Sequence, residues 1–157
     1  YGDKQNIWDK YRNVLGIWMC QLLNQEDITI YGDGEQKRAF SYIDDILEPL
    51  WKSATDKRSK NQCINLGGHI EYTINNAADI LLNIVGYGKK KYCEERHEVK
   101  NAYSSYEKSE KLIDFKMNTE LKDGLVKMWD WAKKQPNRER KKWSSYELNK
   151  NIYDYWK

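Results

Sequence analysis

Apolar residues recur at intervals of three and four in five segments of this sequence. That spacing puts them on one face of a helix and predicts helices over residues 12–24, 44–55, 74–85, 105–113 and 119–134. In the second helix the shared side holds Ile46, Leu47, Leu50, Trp51 and Ala54, and in the fifth the buried side is predicted to hold Leu121, Leu125, Met128, Trp129 and Ala132. Thr73 has the hydroxyl that caps a helix start, and Pro49 leaves open whether the first turn of the second helix is separate.

Four short runs rich in β-branched and aromatic residues predict strands. They cover residues 28–31, 40–43, 63–66 and 90–94. Gly32-Asp33-Gly34 follows the first run and predicts a turn, because glycine reaches positive φ at no steric cost. Short strands alternating with amphipathic helices predict an α/β domain.

Composition narrows the class of protein. The chain has 157 residues, of which 32% are charged, and a net charge of +3, which is too mild to indicate a nucleic-acid partner. It has no apolar run that could span a bilayer and no signal-peptide pattern, so no membrane partner is expected. Cys20 falls in a predicted helix and Cys63 and Cys93 in predicted strands, which favours buried free thiols in a reducing, cytoplasmic compartment.

The C-terminal segment differs in composition from the rest. Pro136 breaks the last long helix, and a basic run follows it at residues 138–142. We therefore divide the chain into a domain at residues 1–135 and a basic aromatic tail at residues 136–157. A helix over residues 144–156 would gather its aromatic side chains on one stripe, which predicts that the tail packs on the domain; a solvated tail is the alternative.

The stretch ITIYGDGEQKRAFSYIDDI, residues 28–46, is the most informative part of the chain. It places Arg38 beside a polar turn and near Tyr31. A fixed guanidinium next to an exposed aromatic ring suits a ligand that carries both phosphate and a flat ring.

The same stretch resembles the G-D-G-x-Q-x-R signature of extended short-chain dehydrogenase/reductases, the NAD-dependent nucleotide-sugar epimerases and dehydratases. Three further segments resemble family elements in the same order: Tyr1-Gly2, Arg96-His97-Glu98-Val99 and residues 109–115. The resemblance covers residues 1–133, and within the family it is to enzymes of the UDP-glucose 4-epimerase type. It implies the small C-terminal substrate-binding domain of such an enzyme, with the Rossmann half absent.

The resemblance implies a substrate site for a UDP- or dTDP-sugar. Asn13 would touch the diphosphate from a helix start, although a plain N-cap is the alternative. Thr29 would meet the edge of the base and Tyr31 its face, unless Tyr31 is an ordinary strand aromatic. Arg38 would clamp the diphosphate. Arg96 would make a second contact to the diphosphate or the ribose, and Glu98 would accept from a ribose hydroxyl. For both residues a surface ion pair is the alternative.

Other polar residues are expected to have structural roles. His97 is expected to be structural, and His69 lies in a predicted loop. Two separated histidines without paired cysteines argue against a metal site. Asp44 and Asp45 look like a carboxylate pair but are better explained as helix caps.

The catalytic parts of the family are missing from this sequence. Gly32-Asp33-Gly34 precedes a predicted strand rather than a helix, so it is no dinucleotide fingerprint. The two Tyr-x-x-x-Lys matches, at residues 87–91 and 153–157, are interpreted as chance. The chain alone is therefore predicted to have no catalytic residues, to bind no NAD and to be inactive. NAD, the missing Rossmann half and a homodimer are expected of the parent enzyme.

Two functional hypotheses remain at this point. The first is the substrate-binding portion of a nucleotide-sugar 4-epimerase or, less favoured, a 4,6-dehydratase. The second is a freestanding non-catalytic module that binds a nucleotide sugar or a protein partner. A first residue that is Tyr rather than Met suggests a fragment.

Overall fold

The computed structural model describes residues 1–9, 13–136 and 138. Its helices are α1 (Val14–Leu23), α2 (Ile43–Thr55), α3 (Ile74–Val85), α4 (Glu107–Ile113) and α5 (Leu121–Ala132), with a 3₁₀ turn at Lys57–Ser59. Its strands are β1 (Ile28–Tyr31), β2 (Lys37–Ala39), β3 (Glu71–Thr73), β4 (Lys90–Cys93) and β5 (Asn101–Ala102). All five predicted helices are present, and their ends differ from the prediction by no more than two residues.

The core lies between α1, β1, α3 and α5. Trp18 and Leu22 of α1 and Leu125 of α5 have no exposed surface. Ala77 and Leu81 of α3 are equally buried, and the small side chain of Ala77 lets the helices approach closely. The predicted buried face of α5 is confirmed in full, because all five of its residues are buried.

Two small sheets join this core to the rest of the domain. β1 pairs in parallel with β4, and β2 lies between antiparallel β3 and parallel β5. β3 leads directly into α3, whose start is capped by the Thr73 hydroxyl accepting from the Asn76 amide at 3.0 Å. The predicted Thr73 cap is therefore confirmed.

The predicted strand at residues 40–43 is wrong. The strand lies three residues earlier, at Lys37–Ala39, and Ile43 already opens α2. Tyr1 explains the change, because its nitrogen donates to the Ser41 carbonyl at 2.7 Å and its carbonyl accepts from the Ile43 amide at 2.9 Å. These bonds hold the segment beside the start of the chain instead of in a sheet.

The predicted strand at residues 63–66 is also wrong, since this segment belongs to neither sheet. A strand-forming sequence becomes a strand only where another strand can pair with it. Cys63 is consequently exposed, which corrects the expectation that it is buried, whereas Cys20 is buried and Cys93 is half-buried in β4. All three cysteines are free thiols.

α2 is one continuous helix that contains Pro49, so its first turn is not separate. Its apolar side faces outward: Leu47 is 55% exposed, Leu50 56% and Trp51 70%. Among the described residues, no helix is long and apolar enough to cross a membrane. The tail predictions for residues 144–156 and the match at 153–157 lie outside the described residues.

Candidate functional site

All six residues predicted to form the substrate site line one cavity of about 530 Å³. The start of α1, both strands of the motif and the loop between β4 and β5 form its walls. The predicted residues at its surface are Asn13, Thr29, Tyr31, Arg38, Arg96 and Glu98. Tertiary structure thus brings together residues that are up to 85 positions apart in the sequence, from Asn13 to Glu98.

The N-terminus of α1 opens into this cavity. Asn13, Val14 and Leu15 all line it, and the first amides of a helix have no partner within the helix. Asn13 stands at the N-cap with φ 62°, yet its side chain makes no capping hydrogen bond. Asparagine is one of the few residues other than glycine that adopts positive φ readily. The helix start therefore presents amides and a partial positive charge to an anion.

Two side chains of α1 hydrogen-bond to the backbone of Thr29. Its amide donates to Gln21 Oε1 at 3.2 Å, and its carbonyl accepts from the Trp18 indole at 2.7 Å. The Gln21 amide also contacts the Thr29 hydroxyl at 3.2 Å. A base that uses the edge of β1 at this point must therefore replace bonds that the protein already makes.

The ring of Tyr31 is covered by an arginine. The guanidinium carbon of Arg96 lies 3.1 Å from the centre of the Tyr31 ring, a cation–π stack. The structure thus places the predicted base-stacking ring and the predicted diphosphate contact against each other. A base can reach this face of Tyr31 only if Arg96 moves, or it can stack on the guanidinium plane instead.

Arg38 is held by three hydrogen bonds. Its guanidinium donates to Glu98 Oε2 at 3.1 Å, to the Lys37 carbonyl at 2.7 Å and to the Lys100 carbonyl at 3.4 Å. The side chain is 23% exposed, so it is partly shielded from solvent. Glu98 therefore forms the ion pair considered as its alternative role, with Arg38 as its partner.

Gln36, Trp18 and Gln21 are contributors that sequence reasoning missed. Gln36 donates from Nε2 to the Tyr31 carbonyl at 3.0 Å and to Glu98 Oε1 at 3.1 Å. Its signal was present in the G-D-G-x-Q-x-R pattern, where only the arginine was given a role. The other two side chains had no signal, because their importance depends on how α1 packs on β1.

The prediction that Asp44 and Asp45 cap α2 is wrong, because the N-cap residue is Tyr42 and its side chain makes no capping hydrogen bond. Asp45 is buried, and its carboxylate accepts from the Thr119 amide at 2.9 Å, the Thr119 hydroxyl at 3.0 Å and the Asn118 amide at 3.2 Å. It therefore ties α2 to the segment before α5. Asp44 is exposed.

The histidines lie outside the cavity lining. His69 stacks on Tyr106 with ring centres 3.8 Å apart and meets Phe115 edge-on, so it serves packing. His97 is exposed. Across residues 1–9, 13–136 and 138, no group of three or more metal-ligating side chains is assembled.

The turn at residues 32–34 and the Tyr-x-x-x-Lys match at residues 87–91 both lie beside strands. Gly34, at φ 75°, leads toward a strand, and the Asn75 side chain fills the space on the side where another residue would carry its Cβ. Tyr87 follows the end of α3, and its hydroxyl donates to the Leu22 carbonyl at 2.9 Å. Lys91 lies in β4, so this pair does not share a helix.

Comparisons with known proteins agree with the resemblance in sequence. The family model of the NAD dependent epimerase/dehydratase family matches residues 1–67. UDP-glucuronate 4-epimerase of Thermodesulfobacterium geofontis is 31% identical over 115 residues, which are 71% of this chain and 35% of that protein. UDP-glucuronic acid decarboxylase 1 of Xenopus tropicalis is 27% identical over 124 residues, which are 78% of this chain and 29% of that protein.

A similar solved structure is UDP-glucuronic acid 4-epimerase from Bacillus cereus in complex with UDP-glucuronic acid and NAD. Its TM-score is 0.76 at 27% identity, and the match covers 85% of this chain and 42% of that one. The chain thus spans less than half the length of each of these three relatives.

Proposed function

We propose that this chain, which belongs to the NAD-dependent epimerase/dehydratase family, is the nucleotide-sugar-binding C-terminal portion of such an enzyme. Its ligand is the nucleotide diphosphate of a UDP- or dTDP-sugar. Asn13, Thr29, Tyr31, Arg38, Arg96 and Glu98 form the binding site.

One observation carries this proposal: two arginines and a helix N-terminus line the same cavity. Arg38 and Arg96 supply guanidinium groups, and the start of α1 supplies amides. Pyrophosphate has the charge and the many acceptor oxygens that such donors match with charge-assisted bonds. Tyr31, or the Arg96 plane stacked on it, then offers a flat surface to the base.

Both arginines already have partners, which sets a cost on binding. A diphosphate must compete with Glu98 for Arg38 and with Tyr31 for Arg96. The binding free energy is therefore the contacts made with the diphosphate minus the contacts that the two arginines give up. We expect weak affinity for the isolated chain. In a complete enzyme this remote binding energy positions the sugar for chemistry that takes place elsewhere.

The reaction of the parent enzyme is proposed to be 4-epimerisation in preference to 4,6-dehydration. The epimerase names of the relatives in Thermodesulfobacterium and Bacillus support this choice. NAD belongs to the parent enzyme, on a Rossmann half. The turn at Gly34 leads to β2, whereas a dinucleotide fingerprint leads to a helix, so we expect this chain alone neither to bind NAD nor to turn over a nucleotide sugar.

The missing Rossmann half is the partner we propose for the exposed side of α2. Leu47, Leu50 and Trp51 offer an apolar helix face, and residues 63–66 offer a strand-forming segment outside both sheets. A sheet would cover the apolar face of α2, and a strand at its free edge would pair with residues 63–66. We further propose a homodimer for the parent, and we keep 1–135 as the domain and 136–157 as its tail.

A packed tail is favoured by one contact at its beginning. The guanidinium carbon of Arg138 lies 4.6 Å from the centre of the Trp8 ring, which holds this residue against the domain. Removal of residues 138–157 should then lower the melting temperature and increase aggregation. Unchanged melting and aggregation would contradict packing of the tail.

The alternative function is a freestanding non-catalytic module that uses the same cavity. The cavity and its two arginines fit this reading as well. The reading frame before Tyr1 distinguishes the two hypotheses. A glycine-fingerprint strand and a Tyr-x-x-x-Lys helix encoded there would identify the enzyme.

Titration of the isotopically labelled chain with UDP tests the binding site. Arg38→Ala should weaken binding by about 1.5 to 3 kcal/mol, because a charge-assisted contact is lost. Arg58→Ala is the matched control, since Arg58 pairs with Asp56 and Asp114 and does not line the cavity. Equal shifts with UDP in wild type and Arg38→Ala would show that Arg38 is not the clamp.

Calorimetry with NAD and an epimerisation assay on UDP-glucose test the proposed absence of catalysis. We expect neither binding nor turnover by the 157-residue chain. Micromolar affinity for NAD would overturn this part of the proposal.

A further inference from the structure

Gln36 lines the candidate cavity, but its amide is committed to the protein itself. Nε2 donates to the Tyr31 carbonyl at 3.0 Å and to Glu98 Oε1 at 3.1 Å. Both partners only accept, so the amide must present its NH₂ to them. Its backbone is fixed as well, because the Gln36 carbonyl accepts from the Ile74 amide at 3.1 Å. Gln36 is therefore a rigid support beside the cavity and not itself a donor to a ligand.

The side chain that Gln36 supports is Glu98. Glu98 stands in the loop between β4 and β5, where no ladder hydrogen bond fixes the backbone. In the ligand-free chain two bonds orient its carboxylate: Gln36 holds Oε1 and Arg38 holds Oε2, each at 3.1 Å. Because a diphosphate would compete with Glu98 for Arg38, the Gln36 bond is the one that would still hold the carboxylate when a nucleotide binds. A carboxylate has about four lone-pair positions, so two remain for further donors.

The position of Glu98 between these two neighbours suggests what it meets. On one side Gln36 connects it to Tyr31, where a base would stack, and on the other side it contacts Arg38, the proposed diphosphate clamp. The ribose of a nucleoside diphosphate joins the base to the phosphates and would lie between them. Its hydroxyls are donors, and the 2′-hydroxyl lies on the carbon next to the one that carries the base.

We propose that Gln36 is a positioning residue that holds the Glu98 carboxylate ready for the ribose 2′-hydroxyl. This makes the cavity selective for ribonucleoside over 2′-deoxyribonucleoside diphosphates and narrows the ligand to the UDP class. A deoxyribose leaves one acceptor position of the carboxylate without its donor, which costs affinity. This inference rests on the proposed function, because it takes the nucleotide to bind in this cavity.

Three ligands titrated by NMR into the full chain provide the test: UDP, 2′-deoxy-UDP and inorganic pyrophosphate. Wild type should bind UDP about tenfold more tightly than 2′-deoxy-UDP, the size expected for one hydrogen bond to a charged group. Gln36→Met, which keeps the shape and removes both donors, should reduce this ratio to about twofold or less. Pyrophosphate affinity should remain within about twofold of wild type.

Two further variants control for indirect effects. Gln62→Met makes the same change at an exposed glutamine that does not line the cavity and should keep the wild-type ratio. Glu98→Gln should also remove the preference for ribose, and it should shift the Gln36 side-chain amide resonances in the ligand-free chain. This resonance reports the Gln36–Glu98 bond even if Gln36→Met fails to fold.

The outcomes separate this inference from the proposed function. Loss of UDP and 2′-deoxy-UDP affinity by the same factor in Gln36→Met would show a merely structural role and overturn the inference. An unchanged ratio in Glu98→Gln, or unmoved Gln36 resonances, would overturn it as well. Wild type that binds neither UDP nor pyrophosphate would refute the proposed function, and the ribose role with it.

Discussion

Helices α2 and α5 have apolar faces with the same spacing, but these faces lie in opposite environments. Leu125 of α5 has no exposed surface, whereas Leu50 of α2 is 56% exposed. Periodicity determines which side chains share a face of a helix. Whether that face is buried depends on which other element packs against it. Among the described residues, the same spacing therefore gives a buried face on α5 and a largely exposed face on α2.

Truncation of one leucine in each helix gives the largest predicted difference. Leu125→Ala should lower the free energy of unfolding by about 3 kcal/mol, because it leaves a cavity in a packed core. Leu50→Ala, the matched change on α2, should alter it by less than about 0.5 kcal/mol. Urea denaturation measures both. Equal losses would mean that the face of α2 is buried in solution after all.

Breaking the hydrogen bonds that tie α2 to the segment before α5 should give the next largest loss of stability. Asp45→Ala should lower the free energy of unfolding by about 2 kcal/mol, because it leaves the partly buried amides of Asn118 and Thr119 without their acceptor. Asp44→Ala should cost only about 0.5 kcal/mol, since an exposed carboxylate in the first turn interacts only with the helix dipole. Thermal unfolding of the pair measures the difference. Similar melting temperatures would show that the Asp45 bonds do not hold α2 to α5.

The smallest effect on stability should accompany a clear effect on association. Leu50→Glu combined with Trp51→Glu should change the free energy of unfolding by less than about 0.5 kcal/mol and reduce self-association in sedimentation velocity. Val126→Glu is the control, because Val126 is 39% exposed on α5 and lies outside the face of α2. Self-association that persists in the double variant, or that Val126→Glu abolishes, would show that the chain associates through a surface other than the face of α2.

The same distinction explains which parts of the fold could be predicted. Thr73 and the apolar positions of α3 predicted a capped helix, because capping and amphipathicity depend on neighbours within one turn. Residues 40–43 and 63–66 had strand-forming sequences and did not become strands. Strand formation depends on a partner, and Tyr1 took that place for the first segment. A local sequence signal does not contain that information.

The candidate site shows this limit in a different way. The motif led to Arg38 and Tyr31, and both line one cavity with Asn13, Arg96 and Glu98. It could not indicate that Arg96 stacks on Tyr31, or that Gln36 connects Tyr31 to Glu98. The Arg96–Tyr31 and Gln36–Glu98 contacts join residues 65 and 62 positions apart, and the pairing of β1 with β4 and of β2 with β5 brings them together.

The sequence by itself determined the five helices, the turn after β1, the family and the types of residue available to bind a diphosphate. These features depend on short-range periodicity, glycine conformation and residue chemistry. The tertiary structure decided which strands found partners, that the face of α2 stays exposed, that Arg38 pairs with Glu98 and that Arg96 stacks on Tyr31. Such outcomes depend on side chains distant in the chain, because burial and ion pairing are properties of the packed molecule rather than of any one segment.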